Sequence, residues 1–206
     1  MDWQLDAAET RVLGSLVEKE IATPDNYPLS LNALLNACNQ KSNREPVVSY
    51  DEATVESALE GLRAKGLASR ITGGDSRVPK HEHRLAEKFN LGRREAAVLC
   101  VLLLRGPQTA GELRGRAERL YAFDDLPAVE STLERLGELG FTTRLQRQPG
   151  SREARYGHLL CGDVQPEPQA AVPAEPRSTD RSRIEALEQE VAELKREFEE
   201  FRKRFE

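Results

Sequence analysis

The chain has 206 residues, a net charge of −5 and a pI near 5.5; 38% of its residues are hydrophobic and 32% are charged. This length corresponds to one or two globular domains, and the high charged fraction is typical of small domains joined to a long exposed helix. No run of about 18 apolar residues indicates a membrane span, and the first residues do not resemble a signal peptide. We therefore expect a cytoplasmic protein whose three cysteines, Cys38, Cys100 and Cys161, are reduced thiols.

A first helix is predicted to begin after Asp6. The Asp6 carboxylate can cap free backbone N–H groups, and Glu9, three residues further on, completes a capping box. Pro24 ends the helix. Its apolar residues recur at helical spacing and consist of Val12, Leu13, Leu16 and Val17.

A second amphipathic helix is predicted from Pro28, and a long polar turn follows it at residues 39–47. A third helix begins at Ser49 or Asp51 and ends at Gly66. The order of helix, helix, turn and helix is that of a helix-turn-helix domain.

Two strands and a tight turn are predicted after the third helix. Residues 67–72 form the first strand, residues 73–76 have turn chemistry, and residues 78–85 return as the second strand. Pro79 cannot donate a backbone hydrogen bond, so we expect it at an edge or in an irregular position. The hairpin is a wing, and residues 1–87 are therefore predicted to form a winged helix-turn-helix domain.

The same pattern recurs downstream. Residues 91–99 match 5–13, residues 129–141 match 55–67, and residues 155–158 match 80–83. The second copy is shorter around the long polar turn. A duplication explains this internal similarity, so residues 88–162 are predicted to form a second winged-helix domain. The expected fold class is mostly α with small β-wings (α+β).

The composition changes after the second copy. Residues 163–180 contain four prolines among Gln, Ala and Glu, which predicts a flexible linker. Residues 181–206 then show a heptad pattern that predicts a coiled-coil helix and a homodimer. The proposed dimerisation seam consists of Ile184, Leu187, Val191, Leu194, Phe198, Phe201 and Phe205.

The charges beside the seam favour a parallel pair. In that arrangement the opposite charges that face each other are Arg183 with Glu188, Glu190 with Lys195, and Glu197 with Arg202. About three heptads are marginal on their own, so the alternative is a helix that lies back on the preceding domains.

Residues 18–20, 23–34 and 37–47 (EKE, TPDNYPLSLNAL and ACNQKSNREPV) closely resemble the YceH-like family of uncharacterised bacterial proteins. The resemblance covers roughly residues 5–162 and is strongest in the first copy. It implies a pair of winged-helix domains, often followed by a coiled-coil tail. It implies no catalytic residues.

Winged-helix domains often bind DNA by placing the third helix in the major groove. Here both third helices begin with acids, at residues 51–52 and 124–125, which would repel phosphates and also serve as ordinary helix caps. DNA contact would then fall to the polar turn and the wings. The candidate nucleic-acid-binding residues are Asn39, Gln40, Lys41, Asn43, Arg44, Arg70, Arg77, Lys80, Arg144, Arg147, Arg152 and Arg155.

A structural role is the alternative for these residues, because polar side chains in a long turn often cap neighbouring helices. Enzymatic chemistry is not indicated: the sequence has no glycine-rich phosphate loop, nucleophile elbow or paired metal motif. His81 and His83 would share one strand face, but no third ligand is nearby in sequence, so we expect no metal and no cofactor.

Two functional classes follow. The first is a non-enzymatic, DNA-associated regulatory protein that uses the turn and the wings. The alternative is a protein-interaction scaffold that resembles the tandem winged-helix subunits of bacterial condensin complexes in being acidic, duplicated and dimeric. A positive stripe from the turn to the wings would favour DNA, and an apolar groove beside the acidic third helices would favour a protein partner.

Overall fold

A computed structural model describes residues 4–73, 76–147 and 153–162. The predicted linker and coiled-coil helix, with all seven residues of the heptad seam, lie outside the described residues. Arg152 and the side chain of Arg77 also lie outside them.

The described residues form two successive sets of helices and strands. The first set runs α1 (Ala7–Ala22), a short 3-10 helix (Pro24–Asn26), β1 (Leu29–Ser30), α2 (Leu31–Cys38), α3 (Glu52–Ala64), β2 (Ala68–Gly73), β3 (Ser76–His83) and α4 (Leu85–Phe89). The second set runs α5 (Arg93–Arg105), α6 (Ala110–Ala117), α7 (Leu126–Glu138), β4 (Thr142–Arg144) and β5 (Tyr156–His158). Helices with small antiparallel sheets confirm the predicted α+β class.

Helix starts follow the local sequence. The Asp6 carboxylate accepts a hydrogen bond from the backbone N–H of Glu9 at 2.7 Å, and the Glu9 carboxylate accepts one from the Asp6 N–H at 2.9 Å. The predicted capping box is therefore confirmed. Asp51 and Asp125 cap α3 and α7 by accepting from backbone N–H groups three residues on. Of the two predicted starts for the third helix, Asp51 is the one that the structure uses.

β3 is the central strand of a three-stranded antiparallel sheet with the order β1-β3-β2. β1 pairs only with Lys80 and His81, and the pairing of β2 shifts register between Ile71 and Gly73. Pro79 falls beside this shift and beyond the end of β1. It therefore occupies an irregular position of the sheet, as its missing N–H requires. A second, two-stranded antiparallel sheet pairs β4 with β5.

One hydrophobic core runs through both predicted domains, and its buried residues extend from Leu5 to Leu160. α1 packs against α5 so closely that a Cβ on Gly14 would lie 2.9 Å from Cδ2 of Leu104. The backbone N–H of Leu5 donates to the Leu160 carbonyl at 2.7 Å, and that of Glu45 donates to the Leu104 carbonyl at 2.8 Å. The shared core explains how two small helical sets are stabilised without a large core in either.

Equivalent ion pairs occur in the two sets. In the first, the buried Glu9 carboxylate of α1 lies over Gly61 and pairs with Lys65. In the second, Glu95 of α5 pairs with Arg135 of α7 at 2.9 Å. Glu9 and Glu95 are matching positions of the repeat, and so are Gly61 and Arg135. Both copies therefore pair the equivalent glutamate with a cation, but the cation comes from a different position in each copy. None of the described helices is long and apolar enough to cross a bilayer.

Candidate functional site

The polar turn that follows α2 is built around a buried arginine. The Arg44 side chain is 0% exposed and donates to both carboxylate oxygens of Glu18, at 2.6 and 3.1 Å. It also donates to the Ala37 carbonyl from Nε and Nη2, at 3.1 and 2.9 Å, and to Oε1 of Gln40 at 3.1 Å. This geometry favours the structural alternative for Arg44, because its donors are used inside the protein.

Other residues of the turn also serve the fold. The Asn39 amide exchanges two hydrogen bonds of 2.8 Å with the backbone of Tyr50, which closes the turn. Asn43 has a left-handed backbone with φ of 58°, and its Oδ1 accepts a hydrogen bond from Arg105 at 3.2 Å. Lys41 is exposed to solvent. The structural alternative for the turn thus describes Asn39 and Arg44, while Lys41 is available to a partner.

The basic residues of the hairpins differ in their environment. Arg70, Arg144 and Arg147 are exposed, and Lys80 is half-buried. Arg155 donates to the Pro107 carbonyl at 2.8 Å and pairs with Glu112. Three exposed arginines therefore remain candidates for an external anion, whereas Arg155 holds β5 to the segment before α6.

The two histidines of β3 have separate structural partners. Nε2 of His83 lies 2.8 Å from a Glu20 carboxylate oxygen, and this hydrogen bond lowers the pKa of Glu20. The hydroxyl of Tyr27 accepts from the His83 backbone N–H at 2.7 Å. Burial, and then the positive charges of Arg63 and Arg70, lower the pKa of His81. Within the described ranges no group of three or more His, Cys, Asp or Glu side chains is placed to hold a metal.

A groove of about 580 Å³ lies between α3 and the hairpin of β2 and β3. Its apolar residues come from α2, α3 and β3 and consist of Leu31, Leu59, Val78 and Pro79, and two arginines, Arg63 and Arg70, also line it. Its acidic wall is a row of carboxylates on α3, spaced four residues apart, that consists of Glu52, Glu56 and Glu60. Residues four apart lie on one helix face, so this row lines the groove along its length. We call this site the α3 groove.

The acidic row is repeated in the second set. Glu130, Glu134 and Glu138 are all exposed on α7, again four residues apart. The acids that begin the third helices were predicted to disfavour major-groove docking. The exposed glutamates extend that acidic character along the length of both helices, beyond the capping aspartates.

A second, smaller cleft of about 170 Å³ lies where the polar turn meets α5 and α6. Its cationic residues are Lys19, Arg105, Arg116 and Arg119. Its apolar lining includes Cys100, Val101 and Leu104 of α5. Sequence reasoning missed this cationic cleft because its charges come from three helices, and only the closely spaced arginines of α6 gave a local signal.

The chain belongs to a family of bacterial proteins. The family described as "Protein of unknown function, DUF480" matches residues 5–171. Over the whole of both chains, the protein is 69% identical to a UPF0502 protein of Solibacter usitatus. It is 47% identical to the UPF0502 protein YceH of Salmonella arizonae, across 95% of this chain and 94% of that protein. The resemblance to the YceH-like family is confirmed.

Proposed function

We propose that this chain is a non-enzymatic tandem winged-helix protein that binds a basic, extended segment of a protein partner in the α3 groove. The carrying observation is the row of three glutamates along a groove that is also lined by apolar residues of α2 and the hairpin. Grooves of roughly 300–1,000 Å³ are typical of binding sites, and the α3 groove falls in this range.

The order of elements supports the winged-helix part of this proposal. α1, α2 and α3 precede the β2–β3 hairpin, and α5, α6 and α7 precede the β4–β5 hairpin. In each set the hairpin comes directly after the third helix, which is the arrangement of a wing.

Charge supports a cationic partner. Like charges four residues apart on a helix cost about 0.2–0.5 kcal/mol per pair, so the glutamate row is unfavourable in the free protein. Glu60 has Arg63 within 3.8 Å, and no side-chain ion pair engages Glu52 or Glu56 among the described residues. Lysine or arginine side chains of a partner would relieve this repulsion, whereas the phosphates of DNA would increase it.

The apolar residues of the groove indicate how the partner is held. Val78, which lines the groove from the hairpin, is 56% exposed. Covering such a residue removes apolar surface from water, which stabilises a complex. A segment that alternates basic and apolar residues would direct its charges to α3 and its apolar side chains to the hairpin.

A peptide-display library screened on the full chain tests this function. Enriched peptides should combine Lys or Arg with Val, Leu or Ile, and should be lost on a Glu52→Gln/Glu56→Gln/Glu60→Gln variant. The matched control is Glu130→Gln/Glu134→Gln/Glu138→Gln, which makes the same change of charge on α7, away from the groove. Equal enrichment on wild type and the α3 variant would refute the proposal.

DNA association is the second candidate, and the exposed cations of the turn and hairpins favour it. Lys41, Arg70, Arg144 and Arg147 are all exposed. We expect phosphate contacts made by these residues to weaken steeply with salt. Binding of a fluorescent random duplex across a salt series, with Lys41→Ala and Arg144→Ala/Arg147→Ala beside wild type, distinguishes this function, because the α3 glutamine variant should leave it intact.

The heptad seam supports a homodimer whether the partner is a protein segment or DNA. We propose a parallel pair formed by residues 181–206. Two copies would present two α3 grooves to one partner, and the second binding event would become intramolecular.

A further inference from the structure

The cationic cleft brings together positive charges that are far apart in sequence. Lys19 lies in the last turn of α1, Arg105 at the end of α5, and Arg116 in α6, with Arg119 just beyond that helix. These residues come from both sets of helices, so the cleft exists only where the two sets meet. A group bound in it would touch both predicted domains.

The carboxylates near the cleft are already shared with other cations. Glu18 is held by Arg44 and lies 3.7 Å from Lys19. Glu112 lies 3.7 Å from Arg116 but also pairs with Arg155 at 3.3 Å. Arg119 has no ion pair in the described part of the chain. The four cations of the cleft therefore exceed the negative charge that the protein places beside them.

Burial and neighbouring positive charges affect the pKa of Arg105. Burial lowers the pKa of its guanidinium, and the positive charge of Arg116 lowers it next. Glu45 and Glu112 oppose this effect without reversing it. A bound anion would remove the repulsion between these arginines, because an opposite charge nearby favours the charged form.

The walls of the cleft are held in place before any ligand arrives. The buried Arg44 fixes the polar turn, and the left-handed Asn43 directs its Oδ1 to Arg105 at 3.2 Å. The floor is apolar and consists of Cys100, Val101 and Leu104, whose exposed fractions are only 0–4%. A volume of about 170 Å³ is smaller than the roughly 300–1,000 Å³ of drug-sized sites, so only a small ligand fits.

We infer that the cationic cleft binds a small organic ligand that carries a phosphate group, with the phosphate among Arg105, Arg116 and Arg119 and the organic part on the apolar floor. The planar guanidinium groups match the oxygen geometry of phosphate and form charge-assisted hydrogen bonds. Such a ligand would bridge the two sets of helices and stabilise their junction. This inference is independent of the α3 groove.

Isothermal titration calorimetry of the full chain with phenyl phosphate tests the inference. We expect one site per chain, weaker binding of inorganic phosphate, and no binding of phenol. Arg119→Ala should weaken phenyl phosphate about tenfold, since a charge-assisted hydrogen bond contributes about that factor. The matched control is Arg93→Ala, which removes an exposed arginine at the start of α5 that does not line the cleft.

Two results would overturn the inference. Absence of phenyl phosphate binding at low ionic strength is the first, and equal weakening by Arg119→Ala and Arg93→Ala is the second, since it would indicate a general effect of charge. A random DNA duplex in parallel separates the two sources of phosphate. If Arg119→Ala weakens the duplex but no phenyl phosphate binds, the cleft cations serve nucleic acid and the small-ligand site is excluded.

Discussion

Arg44 and Glu18 form a two-point ion pair in which the arginine side chain has no exposure to solvent. The pair joins the polar turn to α1 across 26 positions of sequence. Removing both charges from water is costly, and the remaining arginine donors are satisfied by Ala37, Gln40 and Asn43. The pair therefore anchors the turn to α1, while the hydrogen bonds between Asn39 and Tyr50 close it.

Arg44→Ala should lower the free energy of unfolding by about 3–5 kcal/mol, because Glu18 would keep a charge with its main partner removed. Arg44→Lys should also destabilise, since an ammonium group cannot reproduce the two-point contact. Urea denaturation measures both. Lys41→Ala, in the same turn but exposed, should change stability by no more than about 0.5 kcal/mol. A loss below about 1 kcal/mol in Arg44→Ala would contradict the role given to the pair.

Gly14→Ala should separate α1 from α5. The added Cβ would lie 2.9 Å from Cδ2 of Leu104 and 3.0 Å from Cβ of Leu103, so the Leu104 side chain or one of the two helices must shift. We expect a destabilisation of about 1–3 kcal/mol in thermal or urea unfolding. Gly115→Ala is the matched control, since a Cβ in that part of α6 meets nothing within 4 Å. It should be neutral or stabilise by up to about 1 kcal/mol through helix propensity.

Acid should destabilise the protein through His158. Burial lowers the pKa of His158 to about 4 from 6.5, and its Nδ1 has no hydrogen-bond partner among the described residues. The unfolded chain takes up the proton near pH 6.5 and the folded protein only near pH 4, so stability falls as pH decreases through this window. The full effect is roughly 3 kcal/mol.

His158→Gln isolates this contribution. At pH 7 the difference in stability from wild type reports packing alone, because the histidine is neutral in both states. Near pH 4 wild type carries the additional penalty, so the difference should shift in favour of the variant. Urea midpoints at both pH values measure it, and an unchanged difference would exclude His158 as the source.

Deletion of residues 177–206 should give a monomer by light scattering. The apolar heptad positions would be exposed to water in a single helix, so we expect a second copy to cover them. A matched variant with Ile184→Lys and Val191→Lys should give the same result with the chain length kept. A dimer that persists in both would place the interface outside residues 177–206.

Capping residues and prolines, whose effects reach only a few positions along the chain, predicted many of the helix starts and the irregular part of the sheet. Asp6 with Glu9, and Asp51 before its helix, are capping residues whose hydrogen bonds reach only three positions along the chain. Pro79 was expected in an irregular position, since the absence of its N–H is a property of the residue itself. The acids that begin the third helices are also visible in the sequence, and Asp51 and Asp125 cap those helices.

The candidate site was harder to predict. Arg44 and Lys41 stand in the same polar turn and look alike in sequence, yet one is buried against Glu18 and the other is exposed. Nothing within one helical turn distinguishes them. The burial of Arg44 depends on how α1 and α2 pack, and its charge is tolerated only because that packing supplies a carboxylate and carbonyl oxygens.

The sequence by itself determined the three helices and the hairpin of the first set and the repeat of this order, because these depend on residue spacing within short segments, whereas β1 and α4 were not predicted. Only the tertiary structure decided which charges are buried and which converge. Lys19, Arg105 and Arg119 line one cleft although they come from α1, α5 and the segment after α6. Burial and long-range proximity are properties of packed elements, and local periodicity does not specify them.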